Sequence, residues 1–294
     1  MHIAFLGFGL ISGSIARAVR VSRALDGWTM AGWSPSGDGP KRARADGVLN
    51  VVATSPNTAV LGADLVVLGA PATDCLTLID KLAGPWRSAL PDAAVVTDVA
   101  STKAAIVAHA NAAGLRFVGG HPMAGLDTAG YGASLADLFV GRPWVVVPGE
   151  HARPQDVVRV ESLADACRAV PVRLDAADHD RAVAGISHMP LVVAAALAEA
   201  VAGRGTDWRT AGPLAAGGWR DTTRVARGDT AMGAAILATN AAAVAARLRD
   251  LRAVLDEWLA VLERTATPDG PDGSDEAALR DRLAAARALL GPPP

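Results

Sequence analysis

The chain has 294 residues, 51% of them apolar and 4% aromatic, with 28 basic against 30 acidic side chains and a net charge of −2. That length accommodates two ordinary domains, and the near-neutral balance argues against nucleic acid or an anionic membrane surface as a partner. Two cysteines, Cys75 and Cys167, are too few for a disulfide framework or a cysteine-type zinc site, and they suit a reducing compartment. The N-terminus "MHIAFLGFG" carries no basic segment ahead of its apolar run, so no signal peptide is read. No apolar stretch reads as a bilayer span of roughly 20 residues. The nearest, "MPLVVAAALAEAVAG", is interrupted by Glu199. The expectation is a cytoplasmic protein with no membrane association.

In chain order, short β-rich runs alternate with helical patterns through the first half. "HIAFLGFG" predicts a buried strand, and "SGSIARAVRVSRAL" a helix after it. Strands are predicted at 28–34, 63–71, 93–101, 116–122, 142–149 and 169–174. Helices are predicted over "TDCLTLIDKLAG", "KAAIVAHANAAG" and 154–167. Strands alternating with helices imply a doubly wound sheet with parallel pairing. From about residue 176 the strands stop, and alanine- and leucine-rich helical stretches follow at 178–202, 229–263 and 274–290. The fold expected is α/β: a Rossmann-type domain over 1–175 and an all-helical domain over 176–294. Residues 265–273 read as a flexible connector, with Ser274 or Asp275 capping the terminal helix.

The turn after the first strand carries a dinucleotide-type loop, Gly7, Phe8, Gly9, Leu10 and Ile11. Gly7 allows a tight turn. Gly9 lets backbone amides approach a pyrophosphate seated on the helix N-terminus. The third glycine of the usual pattern is replaced by Ser12, which is small enough to preserve helix-on-strand packing. NAD-selective folds usually end the second strand with an acid that binds the ribose 2′-hydroxyl. Here that place is held by Ser34, with Lys41, Arg42 and Arg44 nearby in sequence. The cofactor is therefore NAD or NADP, tilted toward NADP unless these basic residues only form an exposed helix face.

Ligands in open parallel sheets bind beyond the carboxyl ends of the strands. Those ends supply Ala70 and Pro71, then Asp98 through Lys103, then "GHPMAG" containing His121. These residues should converge on one cleft, with Asp98 among the cofactor contacts. His121, on a glycine- and proline-braced turn, suits general base work because its pKa lies near neutrality. Ser101 is either a helix N-cap or a hydroxyl donor to substrate, and Lys103 reads as a solvated first-turn residue. Farther on, His188 precedes Pro190, which should kink its helix. His179 and His188 lie nine residues apart with no third ligand at metal spacing, so no metal is expected. In "AAGGWRDTTRVARGD", Arg220 and Arg224 flank Asp221. Either arginine could clamp a carboxylate bidentately or belong to a salt-bridged helix face.

The stretches "GFGLISGS", "VTDVASTK", "FVGGHPMAG", "DHDRAVAGISHMP" and "GGWRDTTRVA" together resemble, in order and spacing, the prephenate/arogenate dehydrogenase (TyrA) family over residues 1 to about 262. The resemblance implies NAD(P)-dependent oxidative decarboxylation of prephenate to 4-hydroxyphenylpyruvate in tyrosine biosynthesis. The alternatives are arogenate, or an amino analogue in a specialised pathway. It implies His121 as catalytic base and Ser101 as its partner. It also implies substrate contacts at Arg224, His188, Asp221 and Gly217, and a homodimer through the helical domain. The family's second histidine after the proline is absent, since Leu191 stands there. The tail after residue 265 is too short for a regulatory domain of the ACT type.

Two other readings compete. β-Hydroxyacid dehydrogenases commonly place a lysine in the second domain, and this chain has lysines only at 41, 81 and 103. A nucleotide-sensing Rossmann protein would have no use for His121, Ser101 and Arg224 together.

Overall fold

The computed structural model describes residues 1–22, 27–203, 207–265 and 273–291. Its eight strands are β1 (His2–Leu6), β2 (Thr29–Trp33), β3 (Val51–Val52), β4 (Leu65–Leu68), β5 (Val95–Asp98), β6 (Phe117–Pro122), β7 (Pro143–Pro148) and β8 (Val170–Arg173). They form one sheet in the order β3-β2-β1-β4-β5-β6-β7-β8. Pairing is parallel from β3 through β6, then β7 runs antiparallel to β6, and β8 is parallel to β7. The all-parallel expectation therefore fails at one junction. A parallel return needs a crossover, usually a helix. Between Pro122 and Pro143 the chain has only a loop with a single 3₁₀ turn at Tyr131–Ala133.

Successive strand residues face opposite sides of the sheet, and both sides are covered. Ile3, Phe5, Leu65, Val67 and Val95 pack with Ile15 and Val19 of α1 (Leu10–Val21) and with Val160 and Leu163 of α6 (Pro154–Ala166). Ala4, Leu6, Val66, Leu68 and Val96 pack on the other side. Their partners are Ile79 and Leu82 of α4 (Ala72–Ala83) and Ile106 and Val107 of α5 (Ala104–Ala112). The two-residue β3 and two short helices, α2 (Asp38–Ala45) and α3 (Pro56–Val60), complete the mixed part of the chain.

From Ala176 on, the described residues contain no strand. The helices are α7 (Ala176–Val183), α8 (Met189–Ala198), α9 (Trp208–Ala211), α10 (Gly217–Thr223), α11 (Thr230–Thr239), α12 (Ala241–Thr265) and α13 (Gly273–Leu290). Pro190 sits in the first turn of α8, directly after a π-helical turn at Ala184–His188. That turn absorbs the hydrogen bond and the ring clash that a proline brings to a helix interior. The single helix expected over 229–263 is broken at Asn240, whose backbone leaves the helical region (φ −128°, ψ 26°). Of the connector expected over 265–273, Thr265 ends α12 and Gly273 opens α13, while residues 266–272 and the expected capping side chains of Ser274 and Asp275 lie outside the described residues.

The continuous helical stretch Ala176–Gly203 has a mean hydropathy of 1.5 over its most apolar window, enough by length and composition to cross a bilayer. This corrects the expectation that no stretch qualifies. In the fold, its buried polar residues His179, Asp180 and His188 are hydrogen-bonded into the body of the protein.

Compactness divides the chain into Met1–Val244 and Ala245–Pro294. Helices α7 and α11 belong to the first unit because they bond to the loop after β5. Asp180 accepts from the Lys103 and Ala104 amides, and the Thr239 hydroxyl lies 2.8 Å from that of Thr102. Within the second unit, Arg282 bonds Glu257 at 2.7 Å and lies 4.8 Å from the centre of the Trp258 ring.

Candidate active site

The carboxyl ends of β1, β4, β5 and β6 stand side by side in the sheet. At the first two lies a cleft of about 530 Å³ lined by Gly7, Phe8, Gly9, Ser34, Gly69, Ala70, Pro71, Arg42, Asp38 and residues 129–133. Gly7 holds a left-handed φ of +93°, and a Cβ there would lie 2.4 Å from the Gly69 carbonyl oxygen. At Gly9 a Cβ would meet nothing, so the space in front of α1 is open. No side chain caps α1 and no acid occupies its first turn, so its leading amides are available to an anion. The site thus fits the pyrophosphate of a dinucleotide. Ser12 is buried with its hydroxyl unpartnered, and a Cβ on Gly69 would stand 1.9 Å from that hydroxyl. The room that a glycine at position 12 would give is supplied by Gly69 across the gap.

Of the cofactor residues expected, Gly7, Phe8, Gly9, Ser34, Ala70 and Pro71 line this cleft. Leu10 and Ile11 do not line it, although they open α1, and Ile11 is packed against the core. Arg42 and Asp38 line it together, whereas Arg44 turns away to the Leu49 carbonyl at 3.4 Å.

Asp98 does not line this cleft. Its carboxylate is fully buried, accepts from the Ala100 amide at 3.0 Å and the Gly120 amide at 3.1 Å, and is paired with Lys103. Lys103 is equally buried and not solvated as its sequence position suggested. An ammonium on the first turn has no sequence signal for burial. Its partner is five residues back, at the end of the adjacent strand, and the turn between them brings the two together.

Ser101 is not the N-cap of α5. Lys103 occupies that position and gives no side-chain cap, and Asp180 of α7 supplies the cap instead through Oδ1 and Oδ2. Ser101 is half-buried, and its backbone lies beside His188.

His121 is inside β6, paired with Val145 of β7, so it belongs to the strand expected over 116–122 and the braced turn also read there does not form at this residue. The two preceding glycines serve packing. A Cβ on Gly120 would lie 2.5 Å from the Asp98 carbonyl oxygen, and one on Gly119 would lie 3.1 Å from the Lys103 side chain. His121 is 8% exposed, and its Nδ1 is 2.8 Å from His179 Nε2. His179 Nδ1 is in turn 2.7 Å from Asp180 Oδ1. Burial, reinforced by the Lys103 ammonium and by competition with the neighbouring His179 and His188 rings for a proton, holds the His121 pKa well below the usual histidine value. Burial alone would raise the Asp180 pKa. The hydrogen bonds from His179 and from two amides outweigh it and keep the carboxyl below its ordinary value.

His188 adjoins this group. The Asn240 amide lies 3.1 Å from His188 Nδ1 and also donates to the Asp180 carbonyl at 2.8 Å. Nδ1 is then the acceptor and Nε2 carries the proton, and that N–H is buried without a well-formed hydrogen bond, the Ser101 backbone being the polar group beside it. Burial lowers the His188 pKa to about 4, with Asp180 and the Ser101 backbone pulling upward and His179 downward.

Arg224 meets Asp127, from the loop after β6, at 2.8 and 3.1 Å, with both side chains more than half exposed. Asp221 and Gly217 are exposed on α10, and Arg220 has no ion pair among the described residues. Leu191 packs toward α11, where a Cβ on Gly233 would touch it at 3.5 Å.

Sequence reasoning missed Asp180, Lys103 and Asn240 as site residues and considered His179 only as a metal ligand. The available signal was the "DHD" triplet on a helix otherwise rich in alanine and valine.

Residues 16–173 match the family described as prephenate dehydrogenase, nucleotide-binding domain, and residues 175–269 match prephenate dehydrogenase, dimerization domain. The chain belongs to the prephenate dehydrogenase family. It is thus a nicotinamide-dependent oxidoreductase with a dimerisation domain in its second part. The prephenate dehydrogenase of Bacillus subtilis (strain 168) is 31% identical over 268 residues, covering 90% of this chain and 69% of that protein. The cyclohexadienyl dehydrogenase of Zymomonas mobilis is 30% identical over 271 residues, covering 90% and 87%. The crystal structure of Synechocystis arogenate dehydrogenase superposes with a TM-score of 0.76 at 30% identity, covering 98% of this chain and all of that one.

Proposed function

We propose that this family member catalyses the NAD(P)-dependent oxidative decarboxylation of prephenate to 4-hydroxyphenylpyruvate, in tyrosine biosynthesis and in the cytoplasm. What carries the reading is the buried, neutral imidazole of His121 at the carboxyl end of β6, in a chain whose two parts match both domains of the family. Residues 1–175 hold the cofactor, and 176–294 supply substrate contacts and the homodimer interface. The Gly7–Gly9 loop and the start of α1 would hold a nicotinamide dinucleotide, which would supply a hydride acceptor for ring C4.

His121 accepts the C4 hydroxyl proton, because a neutral imidazole in a dry site is a ready acceptor. Ser101 orients that hydroxyl. His188 offers its Nε2–H to a polar substrate group. A buried donor without a well-formed hydrogen bond costs about 1–3 kcal/mol until it finds a partner, and substrate binding recovers that cost. Arg224 clamps a substrate carboxylate, with Gly217 and Asp221 beside it on α10. Its present partner Asp127 is exposed, and an exposed pair contributes little, so a bidentate carboxylate can displace it. Release of CO₂ and aromatisation drive the step, which leaves positioning as the protein's main task.

NADP is the preferred cofactor in this reading, because Arg42 reaches the cleft beside Ser34 and no acid ends β2. Arogenate is the second reading. Asp127 beside Arg224 would pair with the ammonium of an amino-acid side chain, and Leu191 cannot supply the second histidine.

The test is a four-way assay of prephenate or arogenate with NAD or NADP, following reduced nicotinamide absorbance. Turnover is expected, fastest with prephenate and NADP. No turnover in any arm refutes the reading. His121→Asn should lose about 10²–10⁴-fold in kcat while still binding cofactor. Arg224→Ala should mainly raise KM. If Arg220→Ala does so instead, the clamp is wrongly assigned.

A further inference from the structure

We propose that His179 and Asp180 are positioning residues for His121. Together they hold its imidazole in the Nδ1–H tautomer, which leaves Nε2 as the proton acceptor, and during turnover His179 receives the positive charge with the Asp180 carboxylate beside it. The inference rests on the role of His121 as the base.

The tautomers follow along the chain of bonds. Asp180 accepts the Lys103 amide at 2.8 Å and the Ala104 amide at 2.9 Å, and these fix its carboxylate against the start of α5. A carboxylate only accepts, so at 2.7 Å His179 Nδ1 must be the donor. Neutral His179 then has Nε2 as acceptor, and at 2.8 Å His121 Nδ1 must donate to it. His121 Nε2 is left as the lone-pair nitrogen, with no hydrogen bond among the described residues. The two rings meet edge to face, with centroids 5.1 Å apart at 78°, so neither can slide without breaking the bond.

The charged neighbours explain why a single imidazole would not suffice. The Lys103 ammonium faces His121 and disfavours a positive charge there, while the Asp98 carboxylate is already committed to Lys103. Asp180 is the carboxylate left in the cluster, and it touches His179, not His121. In the reaction the substrate O–H bond breaks and its proton joins His121 Nε2. The Nδ1 proton of His121 passes to His179 Nε2. One proton enters and one moves over, and the cation rests on His179 against Asp180. After product leaves, the same two transfers run in reverse and return one proton to solvent.

The experiment uses the full chain, with ¹⁵N histidine spectra of the substrate-free protein and steady-state kinetics beside them. Wild-type His121 is expected as the Nδ1–H tautomer. His179→Gln keeps an acceptor oxygen for that proton but cannot take it. It should preserve the tautomer, hold KM within about threefold and lower kcat on the order of 100-fold. The proton inventory in mixed H₂O and D₂O should change from curved in wild type to linear in His179→Gln, a readout that a merely structural role would not move. His179→Leu, which offers no acceptor, should shift His121 to the Nε2–H form. A wild-type His121 protonated on Nε2 overturns the proposal. So does a His179→Gln enzyme with unchanged kcat and a curved inventory. An Nδ1–H signal in a protein that oxidises neither prephenate nor arogenate would refute the substrate reading while supporting the tautomer, so the two fail separately.

Discussion

At the scale of single residues, His188 couples the site to folding. Its Nδ1 is satisfied by Asn240, while its Nε2–H has no well-formed hydrogen bond, and burial holds its pKa near 4. In the unfolded chain the same ring titrates near 6.5. Between those values the unfolded state binds more protons than the folded one, so acidification through this window destabilises the protein. His121 is shifted in the same direction and adds to the effect. The melting temperature should therefore fall between pH 7 and pH 5, and His188→Gln should reduce that slope. An equal slope in the variant would remove His188 from this role. The Lys103–Asp98 pair belongs to the same scale. Its two charges are completely buried, so removing one partner leaves the other uncompensated, at a cost of about 3–5 kcal/mol.

At the scale of elements, β6 sets the position of the base. It runs between β5 and β7 through two consecutive glycines, where backbone and side chains of β5 and its following loop come within about 3 Å of any added Cβ. Gly120→Ala is expected to cost about 1–3 kcal/mol, because the obstructing atom is the Asp98 backbone oxygen, which cannot rotate away. Chemical denaturation would show it as a lower midpoint at unchanged slope. The loop after β6 is clasped onto α1. Tyr131 donates to Asp46 at 2.8 Å, Arg17 bonds both Asp46 and Ser134, and the Leu135 amide donates to Ser14. Gly13 makes room for this, since a Cβ there would strike Tyr131 at 2.7 Å. One loop thus walls the cofactor cleft with residues 129–133 and presents Asp127 to Arg224.

At the scale of the whole molecule, the second unit exposes apolar side chains of α12. Val254, Leu255, Leu259 and Leu262 are all 43–55% accessible. Contiguous apolar surface of this kind marks an interaction site, and these residues fall within the matched dimerization domain. Light scattering should report about twice the 29.9 kDa chain mass. Introducing charge with Leu255→Glu and Leu259→Glu should shift the protein toward one chain mass. A wild-type protein at 29.9 kDa at micromolar concentration would refute the homodimer.

By itself, the sequence determined the doubly wound sheet, the glycine loop and the change to all-helical structure near residue 176. Each is written in local pattern: buried runs, Gly7 before a helix start, and alanine-rich periodicity. It also singled out His121, Ser101, Arg224 and His188, through resemblance and strand-end position. Only the tertiary structure decided what surrounds them. Lys103 is buried because β5 ends in Asp98. Asp180 caps a helix 76 residues away in sequence from the Ala104 amide it binds. His121 lies within a strand because β7 returns antiparallel beside it. Partners so distant in sequence leave no periodic trace, since hydrogen bonding and desolvation depend on separation in space. For that reason "GGHP" reads in the sequence both as the end of a strand over 116–122 and as a braced turn, and the fold makes it strand.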